Sequence, residues 1–312
     1  MPFAGLAPAP GRYYSGPGVN RPAAGQRPPG EAAYIFPRHA SEVDRLDLQH
    51  YALQEVLDAN YLAPVAAAAA ILDVGCGTGL WAAELCAEFP EAVVVGFDLV
   101  PSRPQPPSNY RFVRGNLLQG LPFAGDRFDF VHQRLLGTGV PLRSWSGAMA
   151  ELVRVTRPGG WVEVVEGTFS VEPAGQATGR LFELAWRLGS SLGLDTTGII
   201  FRSLPDYLRT AGLADVQSRV EAVPVGEWGG RIGSFLASDL RAAFSRLGDT
   251  FQARFGLSAE DWLDLLTRMQ REWGEHRSTW GLTVAYGRKP RAGAGPGSPP
   301  TPGTSRAPSA RR

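Results

Sequence analysis

Ile71-Leu72-Asp73-Val74-Gly75-Cys76-Gly77-Thr78-Gly79-Leu80-Trp81 is the stretch that decides the fold. A short apolar run reads as a buried strand. It passes into three glycines at alternate positions and then into a helical pattern. Glycine at such a turn lets the backbone adopt φ > 0 and approach a ligand closely. In open parallel sheets, ligands bind at the carboxyl ends of strands, where the winding reverses. Spacing separates the possible ligands. A dinucleotide fingerprint needs G-x-G-x-x-G, whereas here the third glycine is Gly79 and position 80 is Leu, which disfavours a nicotinamide-dependent reductase. Asp98 follows Gly79 by 98 − 79 = 19 residues and closes the next strand pattern. A carboxylate there can accept both hydroxyls of an unphosphorylated ribose.

Outward from this stretch, strand and helix patterns alternate. Strands are expected at 70–74, 93–97, 110–113, 128–132, 161–166, 215–223 and 279–287. Helices are expected at 42–59, capped by Ser41, and at 80–89, 144–157, 176–192, 202–211, 233–254 and 258–276. Pro158-Gly159-Gly160 reads as the stop of the 144–157 helix. Near-continuous apolar strands between amphipathic helices predict an α/β fold, with a mainly parallel sheet covered on both faces.

Composition narrows the function. The 312 residues carry 31 basic and 30 acidic side chains, a net +1. Residues 1–30 and 288–312 hold 13 of the 26 prolines, nine basic residues and no acid, so both ends are expected to be disordered tails. The remainder, 31–287, is then one domain with 22 basic and 30 acidic residues, a net −8. So acidic a body is a poor match for a nucleic-acid backbone. No uncharged apolar run reaches the ~18 residues of a membrane span, and the N-terminal stretch does not read as a secretory signal. Two cysteines, Cys76 and Cys86, make no disulfide framework and point to a reducing, cytoplasmic setting. The single lysine, Lys289, against 30 arginines reads as codon bias.

Five motifs in order resemble the class I S-adenosylmethionine-dependent methyltransferases. They are Leu72–Gly79; Gly96-Phe97-Asp98-Leu99; Gly115-Asn116-Leu117-Leu118 with Leu121-Pro122-Phe123; Phe128-Asp129-Phe130-Val131; and Glu151-Leu152 through Arg157-Pro158-Gly159-Gly160. Glu42-Val43-Asp44-Arg45-Leu46-Asp47-Leu48-Gln49-His50, Leu62-Ala63-Pro64-Val65 and the extension to His132-Gln133-Arg134 resemble the LaeA-like group, named for a fungal regulator of secondary metabolism. The resemblance implies a Rossmann-like seven-stranded sheet with an antiparallel last strand. It implies a cofactor core over 70–167 and substrate-side helices at 41–59, 170–212 and 228–276. It implies S-adenosylmethionine as cofactor, with Gly75, Cys76, Gly77, Thr78 and Gly79 along its methionine part and Asp73 beneath the loop. Asp98 would hold the ribose, Leu99 and Leu117 would sandwich the adenine, and Asn116, in a position commonly Asp, would accept from the adenine amino group.

Methyl transfer needs position, desolvation and sometimes a base. The four histidines and two cysteines show no metal-ligand spacing. If the acceptor is a hydroxyl or an amine, His132 and His50 are the candidate bases, each with a structural reading beside it. Arg134 can orient a substrate carboxylate or pair with a nearby acid, and Glu166 can meet substrate or solvent. The aromatic residues Trp186, Trp228, Trp262, Trp273, Phe182, Phe201, Phe235 and Phe244 read chiefly as core, with some left to line an apolar pocket. The function expected is therefore methylation of a small hydrophobic or aromatic metabolite. The alternative is a non-catalytic cofactor-binding regulator that docks a partner.

Overall fold

The structure, a computed structural model, describes residues 40–100 and 106–291. The expected tails, apart from 288–291, lie outside these. The elements run α1 (Ala40–Leu57), β1 (Ala70–Val74), α2 (Leu80–Glu88), β2 (Val93–Asp98), β3 (Tyr110–Arg114), β4 (Phe128–Arg134), α3 (Trp145–Val155), β5 (Thr156–Glu172), α4 (Gln176–Ser191), α5 (Ile199–Thr210), β6 (Ala214–Pro224), α6 (Gly230–Phe255), α7 (Ala259–Glu275) and β7 (Thr279–Arg288). The seven strands form one sheet in the order β3-β2-β1-β4-β5-β7-β6. The first five pair in parallel, and β7 runs antiparallel to both β5 and β6. The winding reverses between β1 and β4, so the crevice at their carboxyl ends is the topological switch point.

The largest differences from the expected boundaries are around β5. Helix α3 stops at Val155, and Pro158-Gly159-Gly160 lies inside a long β5 instead of ahead of a short strand. The segment is held there by backbone pairing: Gly159 N donates to Lys289 O, and Lys289 N donates to Gly160 O. The Lys289 ammonium adds bonds to Asp126 and to the carbonyl of Val153. The folded body therefore runs past 287, and the chain's single lysine is a tie between β7 and the turn before β4. At its far end β5 extends to pair Val171 with Trp280 and Glu172 with Thr279. Gly167 sits where a Cβ would lie 1.7 Å from the Trp280 ring, so only glycine fits there.

Alternation along the strands divides the core. Leu72, Val74, Val131, Val162 and Val164 face α3 and α5, while Ile71 and Phe130 pack against Trp81 and Leu85 of α2. A third cluster joins α1, α4, α6 and α7 around Phe182, Phe244, Phe251, Trp262 and Trp273. Four of the aromatic residues weighed as pocket lining, Phe182, Phe244, Trp262 and Trp273, are thus core. Helix α1 is bound to α6 by a buried ion pair. Arg45 donates to Asp239 Oδ1 at 2.5 Å and Gln49 Nε2 donates to Oδ2 at 3.0 Å, with both members of the pair under one-tenth exposed.

A buried pair costs much desolvation, and removing one member strands the other. Asp239→Ala should therefore lower unfolding stability by about 3–5 kcal/mol, whereas the apolar double replacement Arg45→Met with Asp239→Leu should cost little. Urea unfolding of the three proteins checks this. An alanine variant as stable as the parent would show that the pair does not hold α1.

Candidate functional site

The glycine loop leaves β1 at the switch point with all three glycines left-handed, at φ of 76°, 53° and 76° for Gly75, Gly77 and Gly79. Gly75 N and Cys76 N both donate to Phe97 O, at 2.7 and 3.3 Å, which ties the loop to β2. Asp98, at the end of β2, accepts from Gly77 N at 2.9 Å and from Val100 N at 3.1 Å. Its carboxylate therefore stands against the loop, partly exposed. The next strand end lies alongside: Gly115 N donates to Asp98 O and Arg114 Nε to Leu99 O, both at 2.9 Å. Leu99 and Leu117, both partly buried, thus occupy neighbouring turns beside Asp98. The Asn116 amide oxygen, which the sequence reading turned toward adenine, accepts from Leu118 N at 3.0 Å and caps the single turn 117–119.

Helix α1 is seated on this loop. Thr78 Oγ1 donates to Asp47 Oδ1 at 2.7 Å, and Leu46 lies over Gly77. One turn further on, an Arg134 amino group donates to His50 Nδ1 at 3.0 Å, so His50 carries its proton on Nε2, 3.1 Å from Glu84. Burial, and then the Arg134 charge, lower the His50 pKa to about 4. His132 is buried on the same sheet face. Its Nδ1 is 3.1 Å from Asp73 Oδ1, and its ring stacks on Trp81 at 3.9 Å between centroids. Donation to Asp73 Oδ1 selects the Nδ1–H tautomer of His132. His132 Nε2 has no hydrogen-bond partner among the described residues.

In the adjacent strand, Glu163 stands level with His132. Its Oε2 accepts from Leu62 N and Ala63 N, both at 2.7 Å. Burial pushes its pKa up to about 7. Thus the structure brings His132 together with Asp73, and Arg134 with His50. Glu166 is placed apart, on the opposite sheet face. It is buried and accepts from Gln133 Nε2 at 2.7 Å, Leu136 N at 2.8 Å and Gly137 N at 3.1 Å. That clamps the turn after β4, whose Leu136 packs against Gly75. Asp47, Trp81, Glu84 and Glu163 were not read as site residues. A signal for Glu163 was present, a carboxylate inside the apolar run Trp161–Val165. Burial raises the Cys76 and Cys86 thiols, the latter to about 11, so neither is a ready nucleophile. Among the described residues, no group of three or more His, Cys, Asp or Glu side chains could hold a metal, and no helix is long and apolar enough to cross a membrane.

The buried ionisable groups set opposing pH dependences. An unfolded histidine takes up a proton near 6.5, but folded His50 does so only near 4. Its contribution to stability is therefore full above pH 6.5 and is lost as the pH falls toward 4. Glu163 and Glu166, both raised to about 7, act the other way and lose stability as the pH rises from 4.5 to 7. His50→Gln should accordingly flatten the acid side, with the parent losing up to a few kcal/mol more than the variant between pH 6.5 and 4. Urea midpoints measured across that range check it, and parallel curves would contradict the buried neutral state of His50.

Comparison with known proteins finds relatives of this chain. Residues 71–160 match the family model described as a methyltransferase domain. The chain is 30% identical over 203 residues to the secondary metabolism regulator laeA of Aspergillus fumisynnematus, covering 62% of this chain and 54% of that protein. It is 31% identical over 209 residues to methyltransferase pytC of Aspergillus terreus, covering 63% and 62%. Among solved structures, phosphoethanolamine N-methyltransferase 2 of Haemonchus contortus superposes with a TM-score of 0.49 at 16% identity, over 83% of this chain and 55% of that one. The chain spans about half to three fifths of the length of the two curated relatives. The loop, the strand order, the family model and the curated relatives agree: residues 71–160 carry a methyltransferase domain, and the chain is similar to the LaeA-like methyltransferases.

Proposed function

We propose that this protein is an active methyltransferase that moves the methyl group of S-adenosylmethionine to a small hydrophobic or aromatic metabolite. The observation that carries the cofactor reading is Asp98 standing against a loop of three left-handed glycines. The fit is chemical. Glycines 75, 77 and 79 keep Cβ atoms away from a ligand lying on the loop, with Cys76 and Thr78 between them and Asp73 below. Asp98 offers a carboxylate to ribose hydroxyls, and Leu99, Leu117 and the Asn116 amide offer an apolar slot with a polar end. The bound cofactor supplies an electrophilic sulfonium methyl.

The chain's own residues supply orientation and, for a hydroxyl acceptor, a proton acceptor. His132 suits that role better than His50. Asp73 holds His132 Nδ1 and leaves the Nε2 lone pair for a proton, whereas in His50 the Nδ1 lone pair already accepts from Arg134 and Nε2 carries the proton. The small-metabolite reading is supported by the acidic body of 31–287 and by Trp186, Phe201, Trp228 and Phe235, which keep some exposure. Free, buried Cys76 and Cys86 accord with a cytoplasmic setting. The second reading, a cofactor-binding regulator without turnover, is supported by the relative named a secondary metabolism regulator. Transfer of a labelled methyl group from the cofactor into small molecules of a cell extract separates the two.

Calorimetry should give micromolar or tighter binding of S-adenosylhomocysteine. Asp98→Ala should weaken it by about 1.5–3 kcal/mol, the scale of a charge-assisted hydrogen bond, and an unchanged dissociation constant would remove Asp98 from the site. With a hydroxyl acceptor, His132→Ala and His132→Gln should both lower the transfer rate by about 10²–10⁴-fold with cofactor affinity little altered. Full activity in both variants would leave the acceptor's proton to some other group.

A further inference from the structure

Arg134 closes β4 one residue beyond Gln133, which pairs with Val74, so it stands level with the first glycine of the loop. It is partly buried, and burial lowers the affinity of its guanidinium for its own proton. Of its five N–H donors, the one side-chain bond made among the described residues is to the neutral ring of His50. No carboxylate among the described residues lies within ion-pair distance of it. The acids that surround it at longer range are occupied elsewhere: Asp73 with His132, Glu84 with His50 and Gln54, and Glu163 with two backbone amides. A desolvated cation without a counter-ion is costly. Two features beside it also favour an anion. Helix α2 begins at Gly79 with no side-chain cap, so its first N–H groups and dipole point to the same edge. The Asp47–Thr78 bond draws α1 down on the loop, enclosing Arg134 between α1 and the sheet.

On the reading that this domain binds S-adenosylmethionine, we propose that Arg134 takes the α-carboxylate of the cofactor's amino-acid end and is a cofactor-positioning residue instead of an acceptor-binding one. A guanidinium presents a planar fork that matches a carboxylate in two parallel bonds. Through His50, the same side chain would sense whether α1 is docked, so cofactor carboxylate and leader helix share one anchor.

The test uses the full chain and two ligands, S-adenosylhomocysteine and its decarboxylated analogue S-adenosyl-3-thiopropylamine, which keeps the adenosine, the thioether and the amine. The parent should bind the analogue about tenfold or more weakly than S-adenosylhomocysteine, as expected for a lost charge-assisted pair. Arg134→Met should lose about tenfold or more for S-adenosylhomocysteine and stay within about twofold for the analogue. Arg134→Lys, which keeps a charge without the fork, should fall between them and serves if the methionine variant does not fold. Equal losses for both ligands, or no loss for either, would overturn the assignment. So would unchanged cofactor affinity joined to a raised KM for a carboxylate-bearing acceptor. Failure of the parent to bind either ligand would instead overturn the cofactor reading itself.

Discussion

The left-handed backbone of Gly75, Gly77 and Gly79 is the constraint on which the carboxyl edge depends. Residues with a Cβ seldom adopt that conformation, so the turn from β1 to α2 takes this path only with glycine at those three positions. The path then sets the neighbours. It brings the amides of Gly75 and Cys76 onto the end of β2, and that of Gly77 onto Asp98. It leaves α2 starting without a side-chain cap, and it presents Thr78 upward to Asp47. Everything assigned to cofactor binding is a neighbour of this turn.

A second layer of cost lies beneath α1. Asp73, His132, Arg134 and Glu163 occupy one face of three adjacent strands, with His50 and Glu84 above them. Burying so many ionisable groups opposes folding unless each finds a partner. Most do, through Asp73–His132, Arg134–His50–Glu84 and the Glu163 contacts to Leu62 and Ala63. His132 Nε2, His50 Nε2 and Glu163 Oε1 stay buried without a hydrogen bond among the described residues. A protein that needed only a stable core would pack aliphatic side chains here, as it does on the opposite face with Leu72, Val131, Val162 and Val164. The polar face is therefore where chemistry is to be sought.

The third helical layer is structural. Its aromatic residues interlock, and its polar groups serve as caps. Glu272 of α7 accepts from the first amides of α4, Ala177 N at 2.8 Å and Thr178 N at 2.7 Å. The Arg45–Asp239 pair carries that rigidity into α1. Asp47 and His50, which touch the loop and Arg134, lie on the same helix as Arg45 and Gln49, which touch α6. The helical layer of α4, α6 and α7 and the glycine loop are thus mechanically joined through α1.

The sequence by itself determined the element order, the glycine turn and the place of Asp98, because these rest on local conformation and on the spacing of apolar residues along the chain. It determined the core reading of Trp262, Trp273, Phe182 and Phe244 for the same reason. The extent of β5 was not legible, since Pro158-Gly159-Gly160 reads locally as a stop and is kept in the sheet by Arg288 and Lys289, the latter 129 positions downstream of Gly160. Nor were the partners of the ionisable side chains. His132, Arg134 and Glu166 look equivalent as polar residues at strand ends. Which of them shares a face with α1, which is saturated by backbone amides and which retains unused donors depends on pairing between distant strands and on how α1 crosses them. Hydrogen bonding between groups 30 to 84 residues apart leaves no local trace in the chain, because its geometry exists only after the sheet has formed.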